Sequence, residues 1–333
     1  MWGAFVGSPV SSQSLKYFWL EECIEGEGLF VAGTYHKILA AVAKPALEHA
    51  IIKCNTPIVG IHAGSREDDR DGRHPAVVLE TSAGARHLFD EVVVTAPLGW
   101  LKRHTDAFEP RLPKRLEEAI DAIGYGTLDK VYITFPGSFW NGSDSDESNK
   151  SHHPGFTHWL KPEYAPSTNP LGWDPQAMNL AALPKGCEHP TLLFYVYGDC
   201  SKHIGAIASA SNSDLERDRK LLEFFEPYYS RLPNYTRFNP ECTPQAVLAT
   251  AWAIDEYAGY GSYSNFQTGL SEGDTDIETM RKGVPDRGIY FAGEHTAPFV
   301  ALGTTTGAYW SGEAVAIRIL EAHGTGVPAV VKP

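Results

Sequence analysis

The stretch GIYFAGEHTAPFVALGTTTGAYWSGEAVAIRIL, from Gly288 to Leu320, predicts a strand, a loop and a helix. Its opening, GIYFAGE, has apolar residues fit for a buried parallel strand, and Thr304 or Thr305 can serve as the N-cap of the helix. One face of that helix carries small residues, which let a second backbone or a flat ligand come close: Gly307, Ala308, Ser311, Gly312 and Val315. Nucleotide-binding units are usually built in this strand, loop and helix order.

Glu294 lies where the apolar strand ends. A carboxylate in that position is costly to bury unless it accepts hydrogen bonds, and sugar hydroxyls are suitable donors. The N-terminus of the following helix offers free N–H groups and the positive end of the helix dipole. Without Glu294, a plain C-terminal helix packed on a sheet would be an equally good interpretation. With it, the segment favours a binding site.

A dinucleotide site also needs the motif G-x-G-x-x-G between an early strand and a helix. The chain has glycine pairs at 26/28, 124/126, 259/261 and 324/326. The first three pairs lack the third small residue, and the last has Pro328 and too little chain after it for a helix. The sequence therefore predicts that the pyrophosphate-binding half of such a site is missing.

The amino-acid composition limits the classes of ligand and partner that we expect. The chain has 333 residues, of which 43% are hydrophobic, and 28 Lys and Arg face 41 Asp and Glu, for a formal net charge of -13. This charge argues against a phosphate-binding or nucleic-acid-binding surface and favours cationic small molecules such as amines. The five cysteines form no C-x-x-C pair, so we expect reduced thiols and no metal site. No apolar run is long enough for a membrane span, so we expect no membrane partner and a cytoplasmic location.

Along the chain, strand and helix patterns alternate irregularly. Residues 29–33 predict a short buried strand, and the helix after them should be limited by Pro45. Residues 51–97 predict a four-stranded meander with a charged loop at 66–74, and 98–126 a helical region. Further predictions are strands at 128–135, 191–198 and 246–264, the last ending in a loop, a loop at 141–175 and a helix at 213–229. The pattern predicts an α/β fold with a second, mixed α+β layer.

Four stretches, in this order, resemble the flavin-containing amine oxidase family, which includes polyamine oxidases, monoamine oxidases and flavin-dependent histone demethylases. They are VVVTAPLGWLK, IGYGTLDKVYITFPGSFW, AWAIDEYAGYGSYS and IYFAGEHTAPFVALGTTTGAYWSGEAVA. The resemblance implies a partial FAD/NAD(P)-binding, Rossmann-like domain interleaved with a mixed α+β substrate domain. It also implies that the ADP-binding βαβ unit is lacking. The implied division is a substrate-domain segment at 1–28, FAD-domain segments at 29–99 and 284–323, a substrate-binding domain at 100–283 and a tail at 324–333.

The resemblance also implies cofactor residues. Glu294 would bind the ribityl or pyrophosphate side of FAD, and Thr305 with Thr304 would meet the pyrimidine edge of the flavin ring. Ile58 resembles the position whose backbone touches adenine, and Pro97 a turn beside the cofactor. Ser262 falls where covalently flavinylated relatives have cysteine, so the FAD is expected to be non-covalent.

Catalytic and substrate residues are implied in the same way. Lys130 matches the lysine that holds a water near flavin N5, while Trp252 and Tyr257 resemble aromatics that line the flavin. Tyr263, together with Trp252 and Thr304, would line the amine pocket. Thr304 replaces the second aromatic wall of monoamine oxidases, which argues against a narrow aryl-amine cage.

Other interpretations of these residues stay open at the level of sequence. By its strand pattern alone, Lys130 is better described as a solvated lysine. By composition alone, Trp252 and Tyr263 are more often core aromatics than pocket walls. His158 and His295 are expected to be structural, since no G-x-S-x-G motif accompanies them.

The function implied by the resemblance is FAD-dependent oxidation of an amine to an imine or aldehyde, with O2 reduced to H2O2. The alternative is a flavin-free, inactive descendant that acts as a binding or structural protein. A chain without its first βαβ unit is expected to expose apolar surface and to be poorly soluble. A homo-oligomer would be one way to cover that surface.

Overall fold

The computed structural model describes residues 2–18, 31, 35–64, 77–141, 153–210 and 213–325. The chain divides into two compact units, each assembled from several chain segments. Unit 1 contains residues 1–18, 96–101 and 123–271, and unit 2 contains residues 19–95, 102–122 and 272–333.

The α-helices are α1 (Trp2–Val6), α2 (Tyr35–Leu47), α3 (Leu98–Arg103), α4 (Lys114–Ala122), α5 (Asp199–Ala210), α6 (Asp214–Tyr229), α7 (Gly273–Lys282) and α8 (Thr305–Ala322). The strands are β1 (Ile58–His62), β2 (Val77–Thr81), β3 (Arg86–Phe89), β4 (Val92–Val94), β5 (Phe108–Glu109), β6 (Gly124–Gly126), β7 (Leu128–Thr134), β8 (Phe156–His158), β9 (Gln176–Asn179), β10 (Thr191–Tyr197), β11 (Ala246–Ala249), β12 (Tyr263–Asn265) and β13 (Ile289–Phe291).

Unit 1 is built on an antiparallel sheet with the strand order β11-β7-β10-β9-β8. Strand β7 alternates buried and half-buried residues, as expected for a strand with one face on a core. Its buried residues Val131 and Ile133 join Phe194 of β10 and Phe225 of α6 in one apolar cluster. Helix α6 begins at Ser213, whose hydroxyl accepts from the Glu216 N–H at 3.2 Å.

The described residues of unit 2 form two small sheets. Strands β3, β2 and β1 form an antiparallel meander, and β5 pairs in parallel with β1. The closing strand β13 pairs in parallel with β4, and all three of its residues are buried. Arg287, just before β13, donates to the Ala63 and Arg111 carbonyl oxygens, both at 2.9 Å. This buried guanidinium ties the closing strand to the chain around the meander.

Several predictions are confirmed by the structure. The fold is α/β, the strand and helix of the closing segment are present, and β13 is a buried parallel strand. The strands predicted at 128–135 and 191–198 are β7 and β10, and the helix at 213–229 is α6. The predicted strand at 29–33, apart from Val31, and the charged loop at 66–74 lie outside the described residues.

Other predictions are wrong in detail. Strand β4, predicted as the fourth strand of the meander, is not part of that sheet. It pairs in parallel with the buried strand β13, which lies far away in the sequence. The helical region at 98–126 contains strands β5 and β6, and the loop at 141–175 contains β8. Helix α2 runs through Pro45 to Leu47 instead of stopping there. Helix α5, with the sequence DCSKHIGAIASA, was not predicted.

Helix α2 contributes no buried residue. The apolar side chains at its predicted inner face are exposed, among them Ile38 (45%), Leu39 (66%) and Val42 (50%). This surface is consistent with the expectation of exposed apolar area.

The two compact units are each assembled from several segments of the chain. Residues 102–122 and 272–283 belong to the same unit as the closing strand and helix. The assignment of segments to a cofactor or a substrate domain stays a prediction. Within the described residues, no helix is long and apolar enough to cross a membrane.

Candidate functional site

In unit 2, the turn after β13 carries Glu294. Gly293 has φ of 148°, a backbone conformation that favours glycine, and it leads from the buried strand into this turn. Glu294 is half-buried, and its Oε2 accepts from the Gly303 N–H at 2.9 Å. The carboxylate thereby closes the loop before α8 onto the end of the strand. The predicted role of Glu294 toward a cofactor stays a prediction.

The N-terminus of α8 is capped by Thr304. Its hydroxyl accepts from the Gly307 N–H at 2.9 Å and donates to the Ala301 carbonyl at 2.8 Å. Thr304 therefore acts first as a helix cap, and its hydroxyl is already engaged on both sides. Thr305 and Thr306, the first two helical residues, are exposed, and their N–H groups precede the first intrahelical bond. This helix end can accept a hydrogen-bonding edge or an anion.

The small-residue face of α8 is only partly used for packing. Gly307, Ser311 and Val315 are buried, and a Cβ on Gly307 would lie 2.1 Å from the Ala301 carbonyl oxygen. Ser311 accepts from the Gly293 N–H at 2.9 Å, which joins the helix to the Glu294 turn. Gly312 is exposed with open space around it, so within the described residues it packs against no second backbone, and close approach of a ligand there stays a prediction.

Helix α7 holds the Glu294 turn from another side. Arg281 donates from Nε to the Thr296 carbonyl at 2.9 Å and from a terminal nitrogen to the Ala297 carbonyl. His295 lies in this turn between Glu294 and Thr296 and is 1% exposed. Its Nε2 has no hydrogen-bond partner in the described structure. Burial lowers the pKa of His295 to about 4, so the ring is neutral near pH 7. The structural role predicted for His295 agrees with this burial.

Unit 1 carries the predicted catalytic lysine. Lys130 lies on β7 opposite Tyr195 of β10, and its Nζ lies 5.6 Å from the centroid of the Tyr195 ring. The side chain is half-buried, and burial lowers the pKa of Lys130. The strand pattern alone favours a solvated lysine, whereas Lys130 is half-buried in the structure.

Asp129, the residue before Lys130, has no exposed surface and was missed at the sequence level. Its Oδ1 accepts from the Thr250 hydroxyl at 2.6 Å and the Trp252 N–H at 2.8 Å. Its Oδ2 accepts from the Ser201 hydroxyl at 2.5 Å and the Ala253 N–H at 3.3 Å. This carboxylate positions the turn that carries Trp252 directly beside the Lys130 strand. The one sequence signal was a charged residue inside an apolar strand.

The predicted aromatic residues occupy different environments. Trp252 is 48% exposed, so it is not the core aromatic that composition alone suggests, and Tyr257 is 70% exposed. Tyr263 is half-buried, and its hydroxyl donates to the Phe5 carbonyl at 2.7 Å. Each of these side chains keeps a surface that a ligand can reach.

The remaining predicted positions are part of the framework. Ser262 accepts from the Leu128 N–H at 3.0 Å and so supports the start of β7. The Pro97 carbonyl accepts from the Trp100 N–H at 2.9 Å and begins α3. Ile58 opens β1 opposite Thr81. The structure gives these three residues supporting contacts, and their roles toward FAD stay predictions.

Comparison with known proteins shows the family to which the chain belongs. A family model described as flavin containing amine oxidoreductase matches residues 1–320. The chain belongs to this family. Similar proteins include a Lysine-specific histone demethylase 1B homolog of Caenorhabditis elegans, 28% identical over 267 residues, which cover 78% of this chain and 28% of the relative. A Lysine-specific histone demethylase 1 homolog 1 of Oryza sativa is 31% identical over 209 residues, with 62% and 21% covered.

A Peroxisomal N(1)-acetyl-spermine/spermidine oxidase of Homo sapiens is also similar, 27% identical over 293 residues, which cover 83% of this chain and 52% of that relative. The chain thus spans between about a fifth and about half of the length of these curated relatives. As its description states, the family consists of flavin-containing oxidoreductases that act on amines.

The residues around the Glu294 turn fit the polar side of a flavin. A half-buried carboxylate and an exposed helix N-terminus lie within one short segment, in which Gly307 packs against the Ala301 carbonyl. Carboxylate oxygens accept from hydroxyls, and first-turn N–H groups donate to carbonyl or phosphate oxygens. If this chain binds the flavin that names its family, this segment offers the groups that would hold it, and Lys130 supplies a half-buried amine in unit 1.

Proposed function

We propose that this protein is an FAD-dependent amine oxidase that binds the cofactor non-covalently. The family match over residues 1–320 carries the proposal. It is supported by the chemistry of the two units, since unit 2 offers the Glu294 turn and unit 1 offers a half-buried lysine among aromatic residues. Bound FAD would supply the two-electron acceptor, with O2 as the final acceptor and H2O2 as product.

On the cofactor side, Glu294 would accept hydrogen bonds from ribityl hydroxyls, and the N–H groups of Thr305 and Thr306 would donate to the polar ring edge. Three hydrogen bonds hold this segment in place without a ligand. They involve the Thr304 hydroxyl, the Arg281 guanidinium and the Ser311 hydroxyl. A preformed site loses less entropy on binding than one that must fold around its ligand.

On the substrate side, Lys130 would hold a water molecule at its Nζ. Burial lowers the pKa of Lys130 and therefore raises the fraction of the neutral amine, which can accept as well as donate. Trp252 and Tyr263 would exclude water from the substrate amine. A water-poor, aromatic surrounding lowers the pKa of the substrate amine itself and so raises the neutral, oxidisable fraction. The amine becomes an imine, which water hydrolyses to an aldehyde.

A loading experiment tests the proposal. The full chain is incubated with FAD, freed of excess cofactor, and mixed with an alkylamine without O2, and then O2 is admitted. We expect loss of the visible absorbance of the oxidised flavin, its return with O2, and one H2O2 per amine consumed. A protein that retains no FAD and forms no peroxide with any amine contradicts the proposal and favours the flavin-free alternative.

A further inference from the structure

Helices α7 and α8 and strand β13, all in unit 2, line a cleft with a volume of about 460 Å³. Three basic side chains belong to its lining, Arg281 and Lys282 from the end of α7 and Arg318 from the last turns of α8. The volume falls in the range of about 300–1,000 Å³ that ligand pockets occupy. Measured along α8, Arg318 lies about 20 Å from Thr305. The cleft is therefore separate from the helix end that is proposed to meet the flavin.

The cleft concentrates positive charge in a protein with a formal net charge of -13. Among the described residues, Glu278 of α7 is the one acidic residue in the lining, and it is exposed. Within the same part of the chain, no carboxylate forms an ion pair with Arg281, Lys282 or Arg318. The net charge argues against anion binding by the protein surface as a whole, but the local field decides what a cleft attracts.

Each guanidinium in the cleft keeps part of its capacity to donate. Arg281 uses Nε and one terminal nitrogen on the carbonyl oxygens of Thr296 and Ala297. Arg318 donates from one terminal nitrogen to the Arg281 carbonyl oxygen, and its Nε lies 3.4 Å from the Ala314 carbonyl oxygen. The second terminal nitrogen of each guanidinium forms no hydrogen bond with the described residues. Contacts within the protein thus hold both groups in place and leave one terminal nitrogen of each for a ligand.

The two guanidinium groups repel each other where water screens them incompletely. Both side chains are half-buried. Burial lowers the pKa of Arg318, and the positive charge of Arg281 lowers that pKa further. Burial also lowers the pKa of Arg281, against the opposite effect of Glu278. Since arginine stays charged near pH 7, an anion in the cleft would relieve this repulsion.

The ends of both helices oppose an anion in part. Helix α7 ends at Lys282 and α8 at Ala322, so the negative ends of their dipoles lie at the cleft. A helix end is equivalent to about half an elementary charge. Three cationic side chains therefore exceed the two helix ends and Glu278 together, and the cleft keeps an excess of positive charge.

A phosphate group fits this arrangement better than a carboxylate. A carboxylate presents two oxygens that a single guanidinium can satisfy, whereas a phosphate has oxygens in several directions for donors from two helices. Pro285 and Ala322, both exposed, add apolar surface beside the donors. We infer that this cleft is a binding site for a phosphate group, with Arg281, Arg318 and Lys282 as its donors. The inference does not rest on the proposed function, because neither a flavin nor an amine takes part.

Direct binding to the flavin-free full chain tests the site. Isothermal titration in a zwitterionic buffer at constant ionic strength compares inorganic phosphate, phenyl phosphate and acetate. We expect saturable binding of one phosphate per chain, at least about tenfold tighter than that of acetate. Tighter binding of phenyl phosphate identifies an organic phosphate ester as the source of the group, and equal binding of the two identifies free phosphate. Both results support the site.

Two substitutions place the binding in the cleft. Arg318→Gln should weaken phosphate binding about tenfold, because a charge-assisted donor is lost. Lys282→Gln should weaken it about threefold, as expected for one exposed charge. The exposed Lys282 side chain forms no hydrogen bond within the described residues, so this variant keeps the test valid if Arg318→Gln fails to fold.

The matched control is Arg219→Gln on α6, which removes an exposed arginine paired with Glu223 and should leave phosphate binding unchanged. Absence of saturable phosphate binding overturns the inference. Equal affinities for phosphate and acetate, or equal effects of the cleft variants and the control, also overturn it. FAD loading and peroxide formation are measured separately, so the proposed function stands or falls without the phosphate site.

Discussion

Asp129 and Asp174 belong to the same unit, yet the fold treats the two carboxylates in opposite ways. Asp129 is fully buried and receives four hydrogen bonds from two hydroxyls and two backbone N–H groups. Asp174 is half-buried, receives one backbone N–H and faces a cavity. A buried carboxylate with every acceptor site used serves the fold, whereas one with remaining capacity at a cavity can serve a ligand.

The contrast extends to what each residue controls. Asp129 fixes the Trp252 turn beside Lys130 and so acts on the site through the backbone. Asp174 lies at a cavity, and its side chain forms one hydrogen bond within the described residues. Stability measurements should therefore respond strongly to Asp129 and weakly to Asp174.

The largest effect is expected for Asp129→Ala. The substitution leaves the Trp252 and Ala253 N–H groups and two hydroxyls without their acceptor in a buried place, which should lower the free energy of unfolding by about 4 kcal/mol. Denaturant unfolding of the full chain measures it. Asp129→Asn, which keeps one acceptor oxygen, should recover part of the loss. An Asp129→Ala protein as stable as the unmodified chain would break the comparison.

Lys130→Met comes next. If Lys130 holds a water for the proposed reaction, its loss should lower kcat of the FAD-loaded protein about 100-fold while stability stays close to that of the unmodified chain. Steady-state peroxide formation measures the rate. The matched control is Lys220→Met on α6, where the lysine pairs with Glu216 near the surface and should not affect kcat. Equal rates in both variants would remove Lys130 from the mechanism.

In unit 2, His295 is buried like Asp129, but its Nε2 has no hydrogen-bond partner in the described structure. Its pKa is about 4 in the fold and about 6.5 in an unfolded chain. Between these values the unfolded state binds more protons, so the stability contributed above pH 6.5 is lost as pH falls. From pH 7 to pH 5 the free energy of unfolding should drop by about 2 kcal/mol from this group.

Unfolding curves at the two pH values, for the unmodified chain and for His295→Leu, isolate this contribution. The leucine cannot titrate, so its variant should lose less stability on acidification by about that amount. An identical pH dependence for both proteins would mean that His295 is not the buried neutral group described above.

The smallest effect on stability is expected for Asp174→Asn. Its single backbone hydrogen bond survives the change, so the free energy of unfolding should shift by no more than about 0.5 kcal/mol. Thermal or denaturant unfolding of the two proteins checks this. A loss as large as that of Asp129→Ala would show that Asp174 is a structural carboxylate and would end the contrast.

Much of the fold could be predicted from local patterns. Strands β7 and β10 and helices α6 and α8 have apolar periods and caps that the sequence displays directly. Strand β4 was placed in the wrong sheet because its partner β13 is distant in sequence, and strand pairing carries no local signal. Helix α5 was not predicted, and its packing against β10 and α6 depends on tertiary contacts that no local pattern displays.

The candidate site divides in the same way. Glu294 could be predicted from a charge at the end of an apolar strand, whereas Lys130 came from the family resemblance, against the strand pattern. Asp129 and Asp174 could not be assigned from sequence, because the donors around Asp129 and the walls around Asp174 come from separate chain segments. Which carboxylate is satisfied and which is available depends on tertiary contacts alone.

The central claim, that the Glu294 turn and the start of α8 hold a flavin, is tested most directly by titrating FAD into the full chain and following quenching of flavin fluorescence. The account predicts saturable binding of one FAD per chain, weakened about tenfold by Glu294→Gln and unchanged by Glu321→Gln, an exposed glutamate on α8. No saturable binding, or equal affinities for the two variants, would contradict it.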